Sequence, residues 1–273
     1  LGTFGLAGIF SFGTYKNINS WFGGLIVCRD QGLARAIREE MRQWPEFSLR
    51  YVQRKMIYAS LIDMLGWQPL FAAIVHRIFR YGFIRDIARI NRAVAIELDT
   101  SRHDNLPRHY QSRMSPGQAR LILKQLPHVQ AHARKRIAYA SRYAEGIKAT
   151  PSRQPPSPQG SRHVYTYYPL QAGSRQNLLK WLMFFHRDIA AQHLKNCAHL
   201  ESFKEFYSPC PVADEVANSV ILLPTYPSYG MNQVERNIQV INWYFAAGAP
   251  EFILEEASQV LKRQPWLETL PSQ

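Results

Sequence analysis

The sequence predicts an enzyme-like fold of the α/β or α+β class. Apolar segments of strand length alternate along the chain with segments of helical periodicity. Apolar residues make up 46% of the chain and charged residues 19%, which supports a packed core and excludes a disordered chain. The 273 residues suffice for one or two domains, at roughly 150 residues per domain.

Residues 4–12 form an apolar segment punctuated by glycines. Residues 23–30 (GGLIVCRD) read as a strand ending in a turn. Residues 31–44 have helical spacing, with Leu33, Ile37 and Met41 on one face, and Pro45 stops them. Residues 50–98 are rich in Ile, Leu, Phe and Tyr. Arg77, Arg80, Arg85, Arg89 and Arg92 recur there at near-helical spacing, with Ile74, Ile78, Ile87 and Ile90 between them. Pro69 and Gly82 are expected to break this stretch into two or three helices. A polar loop over residues 99–113 follows.

Residues 115–150 give the clearest helix. Ser115 is placed to cap it, Pro116 takes the first helical position, and Leu121, Leu126, Val129 and Ile137 supply an apolar stripe. Residues 151–160 (PSRQPPSPQG) have linker composition. Beyond them the pattern predicts a strand over 163–170 and a helix over 174–189. A polar loop, a short helix over 211–217 and a strand over 219–223 come next. A turn over 225–230 and a helix over 233–245 close the series.

The net charge of +13 lies entirely in the first half. Residues 1–150 carry 23 Lys/Arg and 10 Asp/Glu, whereas residues 151–273 carry 10 of each. Nucleic acid, an anionic membrane surface or a phosphorylated substrate would each suit such a surface. The three cysteines, Cys28, Cys197 and Cys210, form no CxxC pair. Neither a disulfide framework nor a metal site is expected, and a reducing, cytoplasmic setting is. No uncharged apolar run reaches 18 residues, so no spanning helix is expected. The chain opens on Leu1 without a basic, signal-like segment, and it reads as lacking its N-terminal part.

Chemistry concentrates in residues 8–24, GIFSFGTYKNINSWFGG. Ser11 and Lys16 lie five residues apart among glycines and aromatics. A lysine buried in such a turn has a lowered pKa and attacks carbonyls, and a nearby hydroxyl binds phosphate. A lone lysine is most often simply solvated, so the surrounding pattern has to decide.

That pattern resembles the lysine motif of the DegT/DnrJ/EryC1/StrS aminotransferases, which are pyridoxal-phosphate enzymes acting on sugars. Phe10, Ser11, Phe12, Lys16, Gly23 and Gly24 fall in register with it. Arg113, Met114 and Ser115 match a second block, followed by Gln118-Ala119, Gln125-Leu126, Arg134, Arg136 and Tyr143. A third block comprises the tyrosines at 165–168, Arg175, the residues Ala191-Gln192-His193, Cys210 to Ala213, and Leu222 to Pro227.

The resemblance implies an α/β fold, the type I pyridoxal-phosphate transferase fold. Residues 1–114 would be the end of the large cofactor domain, with a basic helical insertion at about 50–98. Residues 115–273 would be the small C-terminal domain, entered by a long helix. Lys16 would be the Schiff-base lysine and Ser11 a ligand of the cofactor phosphate. Gln111 stands where the family has an asparagine that reaches the partner subunit's cofactor phosphate. Arg113 and His193 are candidate substrate contacts.

The implied reaction is amino transfer from an amino acid to a nucleotide-linked keto-sugar, in polysaccharide, lipopolysaccharide or other glycoconjugate biosynthesis. The implied assembly is a homodimer with a shared active site. Three departures stand out. Trp21 and Phe22 replace the family's acidic residue before the Gly-Gly pair. The 50–98 stretch is longer than the usual connection. The family's phosphate turn, ring-stacking aromatic and pyridinium-pairing Asp all precede the lysine motif, and this sequence starts 15 residues before Lys16.

Three other readings compete. A truncated or non-catalytic family member is the main one. A membrane-surface module built on the basic insertion is the second, against which packing on the enzyme body or at a dimer interface is favoured. Nucleic-acid binding is the third. It has charge in its favour but no helix-turn-helix, zinc-finger or RNP-like signature, so no nucleic-acid partner is expected.

Overall fold

The computed structural model describes residues 2, 4–14, 16–67, 70–94, 105, 110–148, 154–155, 160, 163–187, 189 and 196–265. The chain divides into two units, Leu1–Gln68 with His103–Ala131, and Pro69–Arg102 with His132–Gln273.

In the first unit, β1 (Ala7–Ser11) and β2 (Gly24–Cys28) pair antiparallel, with Ile9 opposite Ile26. Helix α1 (Gln31–Arg42) is started by Asp30, whose carboxylate accepts the Leu33 N–H at 2.6 Å. Helix α2 (Leu49–Leu65) is started by Ser48, which accepts the Tyr51 N–H.

In the second unit, a π-turn over Phe71–Val75 leads into α3 (His76–Ile84), and α4 (Ala88–Val94) follows. Gly82, expected to break the chain, lies inside α3. A Cβ there would stand 2.4 Å from Ile90 Cγ2, so the missing side chain lets α3 and α4 meet. The reversal falls instead at Asp86, whose φ is +53°. Pro69, the other expected break, lies outside the described residues.

Back in the first unit, α5 (Pro116–Gln125) has the expected Ser115 cap and Pro116 start. Ser115 and Gln118 bond each other reciprocally as a capping box. The single helix expected over residues 115–150 is divided. A 3₁₀ turn, Leu126–His128, separates α5 from α6 (Val129–Gly146). Pro127 in that turn has no N–H to give, so the helical ladder cannot pass through it intact.

The main core belongs to the second unit. Strands β3 (Tyr167–Gln171) and β4 (Val220–Pro224) pair antiparallel, with Leu170 opposite Ile221. Every residue of β4 is buried, so neither face of this strand meets water. Around them stand α6, α7 (Arg175–Phe184), α8 (Pro211–Ser219), α9 (Met231–Ala246) and α10 (Leu254–Arg263). Trp181 is fully buried among Phe184, Phe185, Trp243 and Phe252, and its Nε1–H donates to the Pro250 carbonyl at 3.1 Å. Buried Asn237 of α9 donates to the hydroxyls of Tyr143 and Tyr229, at 2.9 and 2.8 Å. Arg142 and Glu235 join α6 to α9 through two hydrogen bonds.

Helix α3 lies on α7. The Arg80 guanidinium sits 5.0 Å over the Phe184 ring, and Lys180 Nζ reaches Asp86 at 2.6 Å. The His76 and His186 rings are 5.5 Å apart. Burial, and then the charge of Arg80 and neighbouring basic groups, lowers each imidazole to about 4. Both are therefore neutral at pH 7.

Candidate active site

Strand β1 runs out into the lysine loop, and β2 receives it. The loop is closed at its base by two backbone bonds. Phe12 N–H donates to the Gly23 carbonyl, and Ser20 N–H donates to the Phe12 carbonyl, each at 2.9 Å. The buried Phe12 side chain anchors the start. The Thr14 hydroxyl donates across the loop to the Trp21 carbonyl at 3.1 Å. Trp21 has φ +68°, a conformation that costs a bulky side chain free energy and persists only where its surroundings impose it. Gly23, at φ +98°, completes the return.

Lys16 lies on this loop. Its N–H donates to the Gly13 carbonyl at 3.0 Å, which makes the tight turn, but its side chain is exposed and not buried among the neighbouring aromatics as the sequence suggests. Among the described residues its ammonium makes no hydrogen bond or ion pair. Ser11, also exposed, ends β1. Its hydroxyl accepts a long bond from Gly13 N–H at 3.4 Å and retains its own hydrogen for another acceptor.

Helix α5 holds the loop. Gln118, fully buried, donates from Nε2 to the carbonyls of Ser20 and Phe22, at 3.0 and 3.2 Å. One face further along, Gln125 bonds both backbone groups of Asn19. Its Nε2 donates to the Asn19 carbonyl at 2.7 Å, and its Oε1 accepts the Asn19 N–H at 3.1 Å. The seven-residue interval between the two glutamines is two helical turns, so both amides face the loop. In the sequence these glutamines are family landmarks without an evident role. The interval, on a helix rigidly started by Ser115, was the signal that marks them as a clamp.

Aromatic packing holds the other side. The Phe22 ring meets Phe47 edge-on at 4.5 Å and Tyr51 at 5.0 Å. An apolar ring at this position thus anchors the loop to the start of α2. Met114 passes beside the return, since a Cβ on Gly23 would lie 3.0 Å from Met114 Cε.

Arg113 is half-buried and stitched to residues 44–47. Its N–H donates to Pro45, its carbonyl accepts from Phe47 N–H, and its Nε donates to the Trp44 carbonyl at 2.9 Å. Gln111 is exposed at the start of this segment. Ser11, Lys16, Gln111 and Arg113 therefore share the first unit. His193 lies outside the described residues.

Pyridoxal phosphate requires an amine that can take its aldehyde and donors for its phosphate. Exposed Lys16, with an ammonium uncommitted among the described residues, and Ser11, with a hydrogen to donate, fit those two requirements.

Comparison with known proteins agrees with this architecture. The model of the DegT/DnrJ/EryC1/StrS aminotransferase family matches residues 82–242, a range that includes the clamp helix and begins after the lysine loop. A curated relative from Acidithiobacillus ferrooxidans, UDP-N-acetyl-3-dehydro-alpha-D-glucosamine 3-aminotransferase, is 28% identical over 148 residues. The match covers 52% of this chain and 38% of that protein. The structure of a DegT/DnrJ/EryC1/StrS aminotransferase from Brucella abortus superposes with a TM-score of 0.60 at 19% identity. It covers 89% of this chain and 52% of that one. DesV of S. venezuelae, solved in complex with a ketimine intermediate, gives 0.60 at 18% identity, over 89% of this chain and 53% of that one. The chain thus spans about half the length of these solved relatives.

The class defined by this architecture is that of the type I aminotransferase fold. More narrowly, the chain belongs to the DegT/DnrJ/EryC1/StrS aminotransferase family.

Proposed function

We propose that this chain supplies the lysine of a pyridoxal-phosphate site that moves an amino group from an amino acid to a nucleotide-linked keto-sugar. The observation that carries the reading is the lysine loop itself, pinned by Gln118 and Gln125 with Lys16 exposed. The relative from A. ferrooxidans is named for a substrate of this class, a UDP-linked 3-dehydro-sugar. The product would serve polysaccharide or other glycoconjugate assembly.

When bound, pyridoxal phosphate supplies an electron sink for the carbon that carries the amine. Lys16 would hold it, and Ser11 would donate to its phosphate. Lys16 would also be the group that takes the proton from the donor's α-carbon and gives it back on the cofactor side, as base and then acid. The loop clamp keeps that amine within reach through the exchange, a positioning role.

Arg113 uses Nε to fix its own segment, which leaves its terminal nitrogens for a carboxylate or diphosphate. Gln111, in a homodimer with a shared site, would extend toward the cofactor phosphate of the partner subunit, and His193 would meet substrate. The exposed Cys197 and the half-buried Cys28 and Cys210 are free thiols, which suits a reducing, cytoplasmic setting.

The test is hydrogen exchange at the donor. With pyridoxal phosphate and α-deuterated glutamate or glutamine, the chain is expected to release deuterium to water, and Lys16→Ala to release none. Equal release from Lys16→Ala would move the chemistry to another residue. No release from either protein would favour a non-catalytic member of the family.

A further inference from the structure

Trp21 is the strained residue of the lysine loop. At φ +68° its backbone lies in the left-handed region, where a Cβ crowds the chain and a glycine does not. Two residues on, Gly23 takes its φ of +98° freely. The return of the loop thus uses glycine at one such position and tryptophan at the other. Four side-chain hydrogen bonds hold Trp21 there. Gln118 Nε2 donates to the carbonyls on either side of it, those of Ser20 and Phe22. The Ser20 hydroxyl donates past it to the Phe22 carbonyl at 3.0 Å, and the Thr14 hydroxyl donates to the Trp21 carbonyl itself. Three consecutive carbonyls are therefore bonded around one unfavourable conformation.

These bonds account for the backbone and leave the indole without a task. The neighbouring rings have theirs: Phe12 is buried, and Phe22 packs on Phe47 and Tyr51. Trp21 is half-buried, and among the described residues its ring meets no other ring and its Nε1–H bonds nothing. Held strain at a bulky side chain points to use of that side chain. Its place agrees. The Thr14 bond sets Trp21 across the loop from a residue two before Lys16. Met114 Cε lies against the return at Gly23, and the adjacent Arg113 keeps its terminal nitrogens uncommitted among the described residues. An amine, a flat ring and a cation thus lie on or beside one loop.

We propose that Trp21 is the platform on which the nucleobase of the substrate stacks, and so a specificity-determining residue. The proposal rests on the aminotransferase reading above. A nucleotide-linked keto-sugar brings a carbonyl for amine chemistry, a diphosphate for a guanidinium and a planar heterocycle for an aromatic ring. Lys16 and Arg113 suit the first two, and Trp21 suits the third. The cofactor is also a planar heterocycle, but the Lys16 side chain holds it, and it needs no second anchor on this loop. Every base has a π-face. Stacking on Trp21 therefore favours nucleotide-linked sugars over sugar phosphates without choosing among bases.

The experiment is titration calorimetry of the full chain with UDP and, separately, with pyrophosphate. Wild type is expected to bind UDP more tightly than pyrophosphate. Trp21→Leu should weaken UDP binding on the order of 10–100-fold, the range for loss of a base–aromatic stack, and leave pyrophosphate binding unchanged. Trp21→Phe, which keeps a ring, should retain most of the UDP affinity. Trp21→Gly should lose it as Trp21→Leu does, yet fold securely, because glycine suits the left-handed backbone. The visible absorbance band with pyridoxal phosphate, read on the same proteins, should persist in all three variants. Three results would overturn the proposal. One is a wild type that binds UDP no better than pyrophosphate. Another is UDP affinity unchanged in Trp21→Leu and Trp21→Gly. The third is loss of the pyridoxal phosphate band in those variants with UDP affinity intact, which would assign the ring to the cofactor. UDP binding that depends on Trp21, in a wild type that forms no band with pyridoxal phosphate, would support the stacking contact and sink the aminotransferase reading.

Discussion

Replacing Gln118 by alanine tests the clamp on the lysine loop. The side chain is fully buried, and its amide donates to the Ser20 and Phe22 carbonyls while its oxygen accepts from Ser115 N–H at 3.1 Å. Ser20 is itself fully buried, so in the variant its carbonyl loses this donor away from water. A buried group left unsatisfied costs about 1–3 kcal/mol, and the lost half of the capping box about 0.5–1 kcal/mol. With the weaker Phe22 bond included, Gln118→Ala should destabilise the first unit by about 2–4 kcal/mol. Gln118→Glu keeps the shape and can still accept from Ser115, but at neutral pH it offers the two carbonyls no donor. It should cost as much or more. Urea unfolding gives the stability change, and amide hydrogen exchange of residues 12–23 reports the loop. The Ser20 amide, bonded to Phe12, should lose protection in both variants. A Gln118→Ala protein within about 0.5 kcal/mol of wild type, with Ser20 still protected, would refute the clamp.

Other consequences are as direct. Gly82→Ala places a methyl against Ile90 and should lower stability by about 1–3 kcal/mol in thermal melts, with recovery on adding Ile90→Ala. Trp181→Leu leaves a void among four aromatic rings and an unpaired Pro250 carbonyl; calorimetry should show a loss of about 3 kcal/mol or more. His76 and His186 are held neutral in the fold, with pKa values of about 4 against 6.5. Between those values the unfolded chain binds more protons than the folded one. The stability they contribute is present above about pH 6.5 and is lost as pH falls toward 4. The slope is on the order of 2 kcal/mol per pH unit for the pair. His76→Gln with His186→Gln should flatten that part of a denaturation-against-pH profile.

The sequence showed much of this through a few residues. Ser115 and Pro116 marked the start of α5 because capping chemistry is local. The β2 segment and β4 were legible as short apolar runs. Pro127 hid within a strong apolar stripe, because periodicity reports a face and not the continuity of the ladder. Gly82 lies inside α3 and breaks nothing, for a related reason. Its bare Cα serves a contact with Ile90, which sequence spacing does not display. Helix α10 is legible in hindsight, since Leu254, Ala257 and Leu261 recur at helical spacing between acidic residues in its first turn and basic residues in its last.

The site divides in the same way. Lys16 and Ser11 stood out by motif, whereas the clamp depends on side chains about 100 residues further along the chain meeting backbone carbonyls. Such pairings leave no mark on composition. Trp21 and Phe22 stand where the family has an acidic residue, and only the fold shows what Phe22 does there: its ring packs against Phe47 and Tyr51.

The most direct measurement on the central claim is borohydride reduction of the chain with pyridoxal phosphate, followed by peptide mass mapping. If the clamped loop presents the cofactor lysine, the pyridoxyl group should be found on Lys16, together with a visible absorbance band before reduction. Lys16→Ala should show neither, and Gln125→Ala, which frees Asn19, should show less of both. Labelling spread over other lysines, unchanged by Lys16→Ala, would contradict the account.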